Sequence, residues 1–259
     1  MNDSGDYIAL ANWLRSECKT GRYRYIELRP LDEFVENCGL RPERSYWFHE
    51  LDLAPAPQQL FERLHKNSFQ RNILRAEKEQ LSYEAGRSQR LVDEFYRLLM
   101  LTRRRHRVLP HPRNWFTNLV ECMGDKVEIS VARKSDAAVA AMLTLRHRKS
   151  VVYKYGGSDA ALHHLGGMPF LFWRLIEESR ASGAEKIDFG RSDLDQEGLI
   201  AFKDRLGARR KLLTYYRYTN GAERQQLAPL KSERLRKFVS TMPDGVLSVA
   251  SRMLYRHMG

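Results

Sequence analysis

The spacing of apolar residues predicts a chain in which helices lead into a group of strands. Apolar positions at helical spacing predict helices, and alternating apolar positions predict strands. The predicted helices are Asn12–Lys19, Leu31–Asn37, Leu60–Gln80, Gln89–Arg105, Arg113–Met123, Pro169–Ser182 and Leu199–Ala208. The predicted strands are Tyr23–Leu28, Tyr46–Leu53, Leu81–Glu84, Val127–Arg133, Ala138–Arg146, Ser150–Gly156, Lys186–Gly190 and Lys211–Thr219. This order predicts an α/β fold, with a mixed sheet flanked by helices on both faces.

Breaks in the pattern divide the chain into three predicted parts. The Ala-Pro-Ala-Pro run at 54–57 interrupts a strand pattern, because proline cannot continue a hydrogen-bonded ladder. Gly183 follows the apolar helix over 169–182 and is expected to end it in the left-handed conformation. The predicted parts are residues 1–56, residues 57–222 and a basic helical tail over 223–259.

The chain is strongly basic, with a net charge of +12 and a pI of about 9.7 over 259 residues. Such a surface attracts phosphate groups, whether on tRNA, coenzyme A, a nucleotide-linked substrate or an anionic lipid. Solubility alone is the alternative explanation. No apolar run approaches the length of a membrane span, and the N-terminus lacks the pattern of a secretory signal. Three scattered cysteines form no metal spacing, so we expect a reducing cytoplasm and no metal site.

The first candidate for chemistry is the strand that reads VVYKYGGSD. Its alternation places Val151, Tyr153 and Tyr155 on one face, with Lys154 on the other. The glycines at 156 and 157 predict that Lys154 and Tyr155 stand at a strand end, where substrate groups often bind. The alternative is a core tyrosine beside a solvated lysine.

The second candidate is the turn His163-His164-Leu165-Gly166-Gly167 before the apolar helix. Backbone N–H groups at a helix start bind anions, so Gly166 and Gly167 are weak candidates for binding an anionic group. A plain turn is the alternative, because glycine is the commonest turn residue. The histidines have no nearby Cys, Asp or Glu to complete a metal site.

Two further candidates follow in the chain. In the segment DFGRSD, Arg191 offers a fork for carboxylate or phosphate, and Asp188 or Asp193 can orient an attacking amine or accept its proton. Next, Phe202-Lys203 on a short helix can supply positive charge to an oxyanion. An Asp–Arg ion pair and a surface lysine are the structural alternatives.

The predicted helix over 60–80 carries arginines that can contact phosphates. Arg71 and Arg75 are the candidates, and a solvated helix face is the simpler alternative. No nucleophile elbow, phosphate-binding loop or zinc motif is present in the sequence, which favours direct transfer without a covalent enzyme intermediate.

Taken together, these segments resemble one protein family over roughly 60–218. The matching motifs are HKNSFQRNILRAEKEQL, LTRRRHRVLP, YKYGGSD, DFGRSD, and GLIAFKDRLGA followed by YYRY. They resemble the FemAB-like branch of the GNAT N-acyltransferases and the related BioF2-like acetyltransferase domain found near exopolysaccharide and exosortase systems. The resemblance implies two GNAT-like lobes, with the acceptor in a cleft. It also implies a cationic role for the Phe-Lys pair, Phe202 and Lys203.

The resemblance implies transfer of an acyl or aminoacyl group to an amine of a cell-wall or polysaccharide-related acceptor, with aminoacyl-tRNA as donor in the family's best-studied members. No resident cofactor is implied. Residues 1–56 are shorter than a complete first lobe and are interpreted as part of one. Two alternatives stay open: an acetyltransferase that uses an acyl-CoA, for which the resemblance makes Gly166 and Gly167 weak candidates for coenzyme A binding, and a non-catalytic basic module that binds RNA or a precursor.

Overall fold

The structure is a computed structural model that describes residues 4–21, 23, 25–31 and 40–219. Most helices and strands follow from the sequence pattern with small shifts of their ends, but the helix predicted from Asn12 begins at Ser4 and the strand predicted from Tyr46 begins at Arg41. The α-helices are α1 Ser4–Lys19, α2 Pro57–Arg63, α3 Arg71–Lys78, α4 Gln89–Arg105, α5 Arg113–Met123, α6 Gly167–Ala181 and α7 Glu197–Arg205. The strands are β1 Tyr25–Leu28, β2 Arg41–Asp52, β3 Ser82–Gly86, β4 Val127–Lys134, β5 Ala137–His147, β6 Ser150–Ser158, β7 Lys186–Asp193 and β8 Arg209–Thr219. The predicted elements over 32–39 and 223–259 lie outside the described residues.

The strands form a mixed eight-stranded sheet in the order β1-β8-β2-β7-β6-β5-β4-β3. β3, β4, β5 and β6 pair antiparallel in sequence, while β6 pairs with β7 in parallel after the crossover through α6. This confirms the predicted α/β class with a sheet flanked by helices.

The described residues form two compact units. The first contains those within Met1–His49, Arg191–Phe202 and Arg209–Pro229. Here α1 covers a small apolar cluster in which Ala11 and Leu40 are buried, with Leu28, Tyr216 and Tyr218 packed against them. The second contains those within Glu50–Gly190, Lys203–Ala208 and Leu230–Gly259.

The second unit has helices on both faces of its strands. On one face, α4 and α5 bury Phe95, Leu98 and Phe116 against apolar side chains of β4 and β5. On the other, the ring of Phe172 on α6 packs edge-on against Phe69 and at a tilt against the half-buried Tyr153. Fully buried aromatic rings of this size dominate the apolar area removed from water.

The predicted single helix over 60–80 is wrong, because the chain breaks into α2, a π-helical turn over Lys66–Gln70 and α3. Leu64 and His65 are extended, and His65 Nδ1 accepts a hydrogen bond from the Ser68 N–H at 3.2 Å. The Gln70 side chain donates to the carbonyls of Phe61 and Leu64. These bonds satisfy groups that a helix end leaves unpaired, so the break is stable.

Candidate active site

The strands β6 and β7 pair over only a short stretch. Their register pairs join Ser150 to Lys186, Val151 to Ile187 and Val152 to Asp188. No further pair joins these two fully described strands, although β6 continues to Ser158. Backbone groups beyond Val152 on this side of β6 therefore face a gap in the sheet, which is a place where a ligand can bind.

A bulge in β6 decides which side chains face the gap. The register with β5 shifts between Leu143, which pairs with Tyr155, and Thr144, which pairs with Tyr153, so Lys154 is the extra residue. An extra residue reverses the alternation of side chains beyond it. The prediction that Tyr153 and Tyr155 share a face is therefore wrong, as is the prediction that Lys154 and Tyr155 end the strand.

The two tyrosines consequently have different surroundings. The ring of Tyr153 lies 4.8 Å from Phe172 and 6.3 Å from Phe189, and its hydroxyl lies beside Gly156. Burial raises the pKa of Tyr153 to about 12. Tyr155 instead packs against Phe116 at 5.3 Å, on the α4 and α5 side. The structural alternative for Tyr155, a core tyrosine, is the one observed.

Asp188 and Lys203 lie on either side of Gly190. The Gly190 N–H donates to Asp188 Oδ1 at 2.6 Å, and Lys203 Nζ donates to the Gly190 carbonyl at 3.0 Å. Gly190 has a φ of +69°, which glycine adopts without strain and which bends β7 into this arrangement. The sequence Asp-Phe-Gly is thus the local signal for a turn in which a carboxylate caps a backbone N–H.

Burial sets the charge states of this pair. Lys203 is only 4% exposed, so it is not the surface lysine of the structural alternative. Burial lowers the pKa of Lys203 to about 8, and the nearby Asp188 opposes this. Burial also raises the pKa of Asp188, against the effect of the Gly190 N–H. Lys203 can therefore gain or lose a proton near physiological pH, as groups at functional sites often do.

Asp188 and Lys203 belong to the second unit, whereas Arg191, Asp193 and Phe202 belong to the first. Arg191 belongs to the first unit, where its guanidinium lies 4.2 Å from the Tyr46 ring centroid and 4.9 Å from that of Tyr215. Asp193 is exposed at the end of β7 in the same unit. Phe202 is half-buried on α7, directly before Lys203.

The arginines of the broken helix have separate environments. Arg71 is exposed at the start of α3, while Arg75 donates to the His164 carbonyl at 3.2 Å. Arg75 therefore joins α3 to the turn before α6. Arg71 keeps an exposed charge that is available to solution.

Gly166 and Gly167 are explained by close packing. Gly166 has a φ of +76°, and a Cβ there would lie 2.2 Å from the Asn72 carbonyl oxygen. A Cβ on Gly167 would lie 2.9 Å from Val139 and 3.0 Å from Ala140. The missing side chains let α6 start against α3 and β5. Coenzyme A binding at these glycines stays a prediction.

Sequence reasoning did not identify a group of cationic side chains near the end of β6. Burial, Arg103 and Lys154 together lower the pKa of His111 to about 4. The charge of Arg103 also opposes the rise that burial causes in the pKa of Tyr153. Arg105 donates to the Ser158 carbonyl, and Ser158 Oγ lies 2.8 Å from His163 Nε2. The signal was the run RRRH at 103–106, quoted above only for its resemblance.

Within the described part of the chain, no three metal-ligating side chains stand close enough together to hold a metal ion. None of its helices has the length and apolar content to span a bilayer.

Comparison with known proteins agrees with this geometry. The model of the acetyltransferase (GNAT) domain matches residues 63–204, which is more than half of the chain. The crystal structure of FemX superposes with a TM-score of 0.70 at 14% identity, covering 84% of this chain and 78% of FemX. The C-terminal domain of a putative lysylphosphatidylglycerol synthetase from Agrobacterium fabrum gives 0.58 at 16% identity, with 85% and 75% covered. No curated protein sequence matches the chain.

Proposed function

Because the chain belongs to the GNAT acetyltransferase family and has a FemAB-like form of that fold, we propose that it transfers an acyl or aminoacyl group to an amine of a cell-wall or polysaccharide-related acceptor. The observation that carries this proposal is the arrangement of the half-buried Asp188 and the buried Lys203 about Gly190 of β7, the strand whose pairing with β6 ends at Asp188. The donor is an activated ester, on a charged tRNA or a coenzyme A thioester.

The proposed reaction needs no covalent enzyme intermediate. The acceptor nitrogen attacks the acyl carbonyl carbon and forms the C–N bond, while negative charge develops on the carbonyl oxygen. The C–O or C–S bond to the donor then breaks, and the nitrogen loses a proton as the departing oxygen or sulfur gains one. Each step requires charge stabilisation and proton movement.

Lys203 and Asp188 suit these two tasks. Lys203 in its protonated form stabilises the developing oxyanion, since a buried cation acts in a low local dielectric. Asp188 holds the acceptor amine and accepts its proton, because burial raises the pKa of this carboxyl. Lys154, which is exposed at the bulge, and Arg103 supply positive charge for a phosphate on either substrate.

Single-turnover transfer tests the roles in this proposal. A charged tRNA pool or acetyl-CoA is the donor, an amine-bearing cell-wall precursor is the acceptor, and the modified acceptor is measured by mass. We expect Lys203→Met to slow transfer by about a hundredfold or more, as loss of an oxyanion stabiliser does. The exposed Lys149→Met, which removes only an ion pair with Glu185, is the control. Equal rates for the two variants would contradict the role of Lys203.

The acyl-CoA alternative is favoured by the family model itself, which describes an acetyltransferase domain. Calorimetry with acetyl-CoA and with charged tRNA separates the two donors. Binding of acetyl-CoA without binding of charged tRNA supports the coenzyme A version, and the reverse result contradicts it. A non-catalytic RNA- or precursor-binding module is the third possibility, and it predicts salt-sensitive tRNA binding without any turnover.

A further inference from the structure

A second surface of the second unit exposes large apolar side chains at the end of α4 and the start of α5. Trp115 is 48% exposed, and Leu101 and Val108 are each 38% exposed. Leu101 lies one helical turn before Arg105, the last residue of α4, and Val108 lies in the turn after the helix cap His106. Scattered exposed leucines are ordinary, but a tryptophan exposed to this extent, close in sequence to exposed aliphatic residues, indicates an interaction surface.

The turn between α4 and α5, which carries Val108, is held in place by packing. Leu109 packs with the buried Met100 and with Tyr96, and Pro110 is buried. The Val108 N–H donates to the Arg103 carbonyl at 3.0 Å. Inward packing of Leu109 and Pro110 fixes the outward position of Val108, so its exposure belongs to the fold.

Trp115 is held in a similar way. Its ring stacks on His111 at 5.6 Å, and His111 lies 5.4 Å from the core residue Tyr155. The indole thus rests on a layer of packed rings while half of it faces solvent. A rigid, exposed aromatic side chain loses little conformational entropy when it inserts into a partner.

The charge of the same segment selects the partner. From Phe95 to Val120 the sequence has six arginines and two histidines but no aspartate or glutamate. Arg113 is neutralised by Asp93, whereas Arg105 and Arg107 are exposed. The segment that carries the exposed apolar side chains is therefore cationic, which favours an anionic partner with an apolar layer beneath its charges.

We propose that the surface formed by Leu101, Arg105, Arg107, Val108 and Trp115 docks on an anionic lipid bilayer. Tryptophan prefers the membrane interface, aliphatic side chains enter the acyl boundary, and arginines pair with anionic headgroups. RNA would use the arginines and could stack on Trp115, but it offers no apolar layer for Leu101 and Val108. An anionic bilayer offers a favourable environment to all five residues of this surface. The docking does not depend on which donor the enzyme uses.

Sedimentation of the full chain with vesicles tests this proposal. We expect binding to vesicles that contain phosphatidylglycerol, weak binding to phosphatidylcholine alone, and loss of binding at high salt. Arg107→Gln should weaken the partition constant about fivefold, and Trp115→Ser about tenfold. Leu74→Ser is the matched control, since Leu74 is 56% exposed on the basic helix α3, outside this surface. A loss in the control equal to that in Trp115→Ser overturns the proposal.

Fluorescence quenching tests which tryptophan contacts lipid, with a conservative substitution that keeps an aromatic ring at position 115. Brominated phosphatidylglycerol should quench the wild-type protein, and Trp115→Phe should retain vesicle binding but lose most of the quenching. Unchanged quenching in this variant means that another part of the chain contacts lipid, which refutes the assignment. In a parallel titration with tRNA, an affinity that falls with Trp115→Ser while vesicle binding stays unchanged shows an RNA surface and also overturns the proposal.

Discussion

The charge on Lys203 should cost the protein stability, and replacing it by methionine should reveal that cost. Lys203 is buried, with only 4% of the residue exposed, and its ammonium donates a hydrogen bond to the Gly190 carbonyl at 3.0 Å. Burial lowers the pKa of Lys203 to about 8, from an ordinary value of 10.5. Methionine keeps a similar length and apolar volume without the charge.

The magnitude follows from the linkage between protonation and folding. Below about pH 8 both states carry the proton, so the folded protein bears the full cost of the buried charge, about 3 kcal/mol. As pH rises from about 8 to 10.5 the folded state loses the proton first, the unfolded state binds more protons, and the stability of the wild type increases. From about pH 7 to about pH 9.5 this increase is about 2 kcal/mol.

Urea unfolding of both proteins at these two pH values measures the effect. The free energy of unfolding of Lys203→Met relative to wild type should fall by about 2 kcal/mol as pH rises, whatever the methionine contributes by packing. Subtracting the free energy of unfolding of the wild type from that of the variant cancels the contribution of the titratable groups that the two proteins share. Lys149→Met serves as control: Glu185 raises the pKa of the exposed Lys149, so its charge persists across this pH range and the difference stays constant. A constant difference for Lys203→Met as well would refute a charged, desolvated Lys203.

Three further changes test other parts of the structure. Gly166→Ala should destabilise the protein by about 2 kcal/mol more than Gly183→Ala in urea unfolding, since both have positive φ but only Gly166 faces a backbone oxygen within 4 Å. Gly156→Ala places a Cβ 2.2 Å from the Tyr153 hydroxyl oxygen, so Tyr153→Phe should recover about 1 kcal/mol or more in a double-mutant cycle, and additive effects would contradict the contact. Asp188→Asn removes the charge that raises the pKa of Lys203, so the alkaline decline of the transfer rate should move to lower pH, and an unshifted profile would disprove the coupling.

Much of the fold was predictable because apolar spacing reports directly on helix and strand geometry. The bounds of α4 and α5 match the sequence prediction, and the three antiparallel strands from Val127 onwards differ from it by one or two residues at their ends. Gly183 takes the predicted left-handed conformation at φ +79°. The motifs Asp-Phe-Gly and Phe-Lys also drew attention to Asp188 and Lys203 in the sequence, and the catalytic roles of these two residues stay a proposal.

Local pattern could not predict features that depend on distant partners. The helix break at Leu64 and His65 needs the Gln70 side chain, which reaches back to the carbonyls of the preceding turn. The bulge at Lys154 exists only in the pairing of β6 with β5, and it sends Tyr153 and Tyr155 to opposite faces. A single-residue shift of this kind leaves the hydrophobic composition of the strand unchanged, so periodicity cannot detect it.

The sequence by itself determined the order of elements, the α/β class, the basic charge and the motifs that carry the family resemblance. These properties depend on residue type and on neighbours a few positions away. Only the tertiary structure decided that Lys203 is buried against Gly190, that Gly166 packs on Asn72, and that Trp115 stays exposed on a packed ring. Burial depends on every element that packs around a side chain, and burial sets both the pKa of Lys203 and the surface open to a partner.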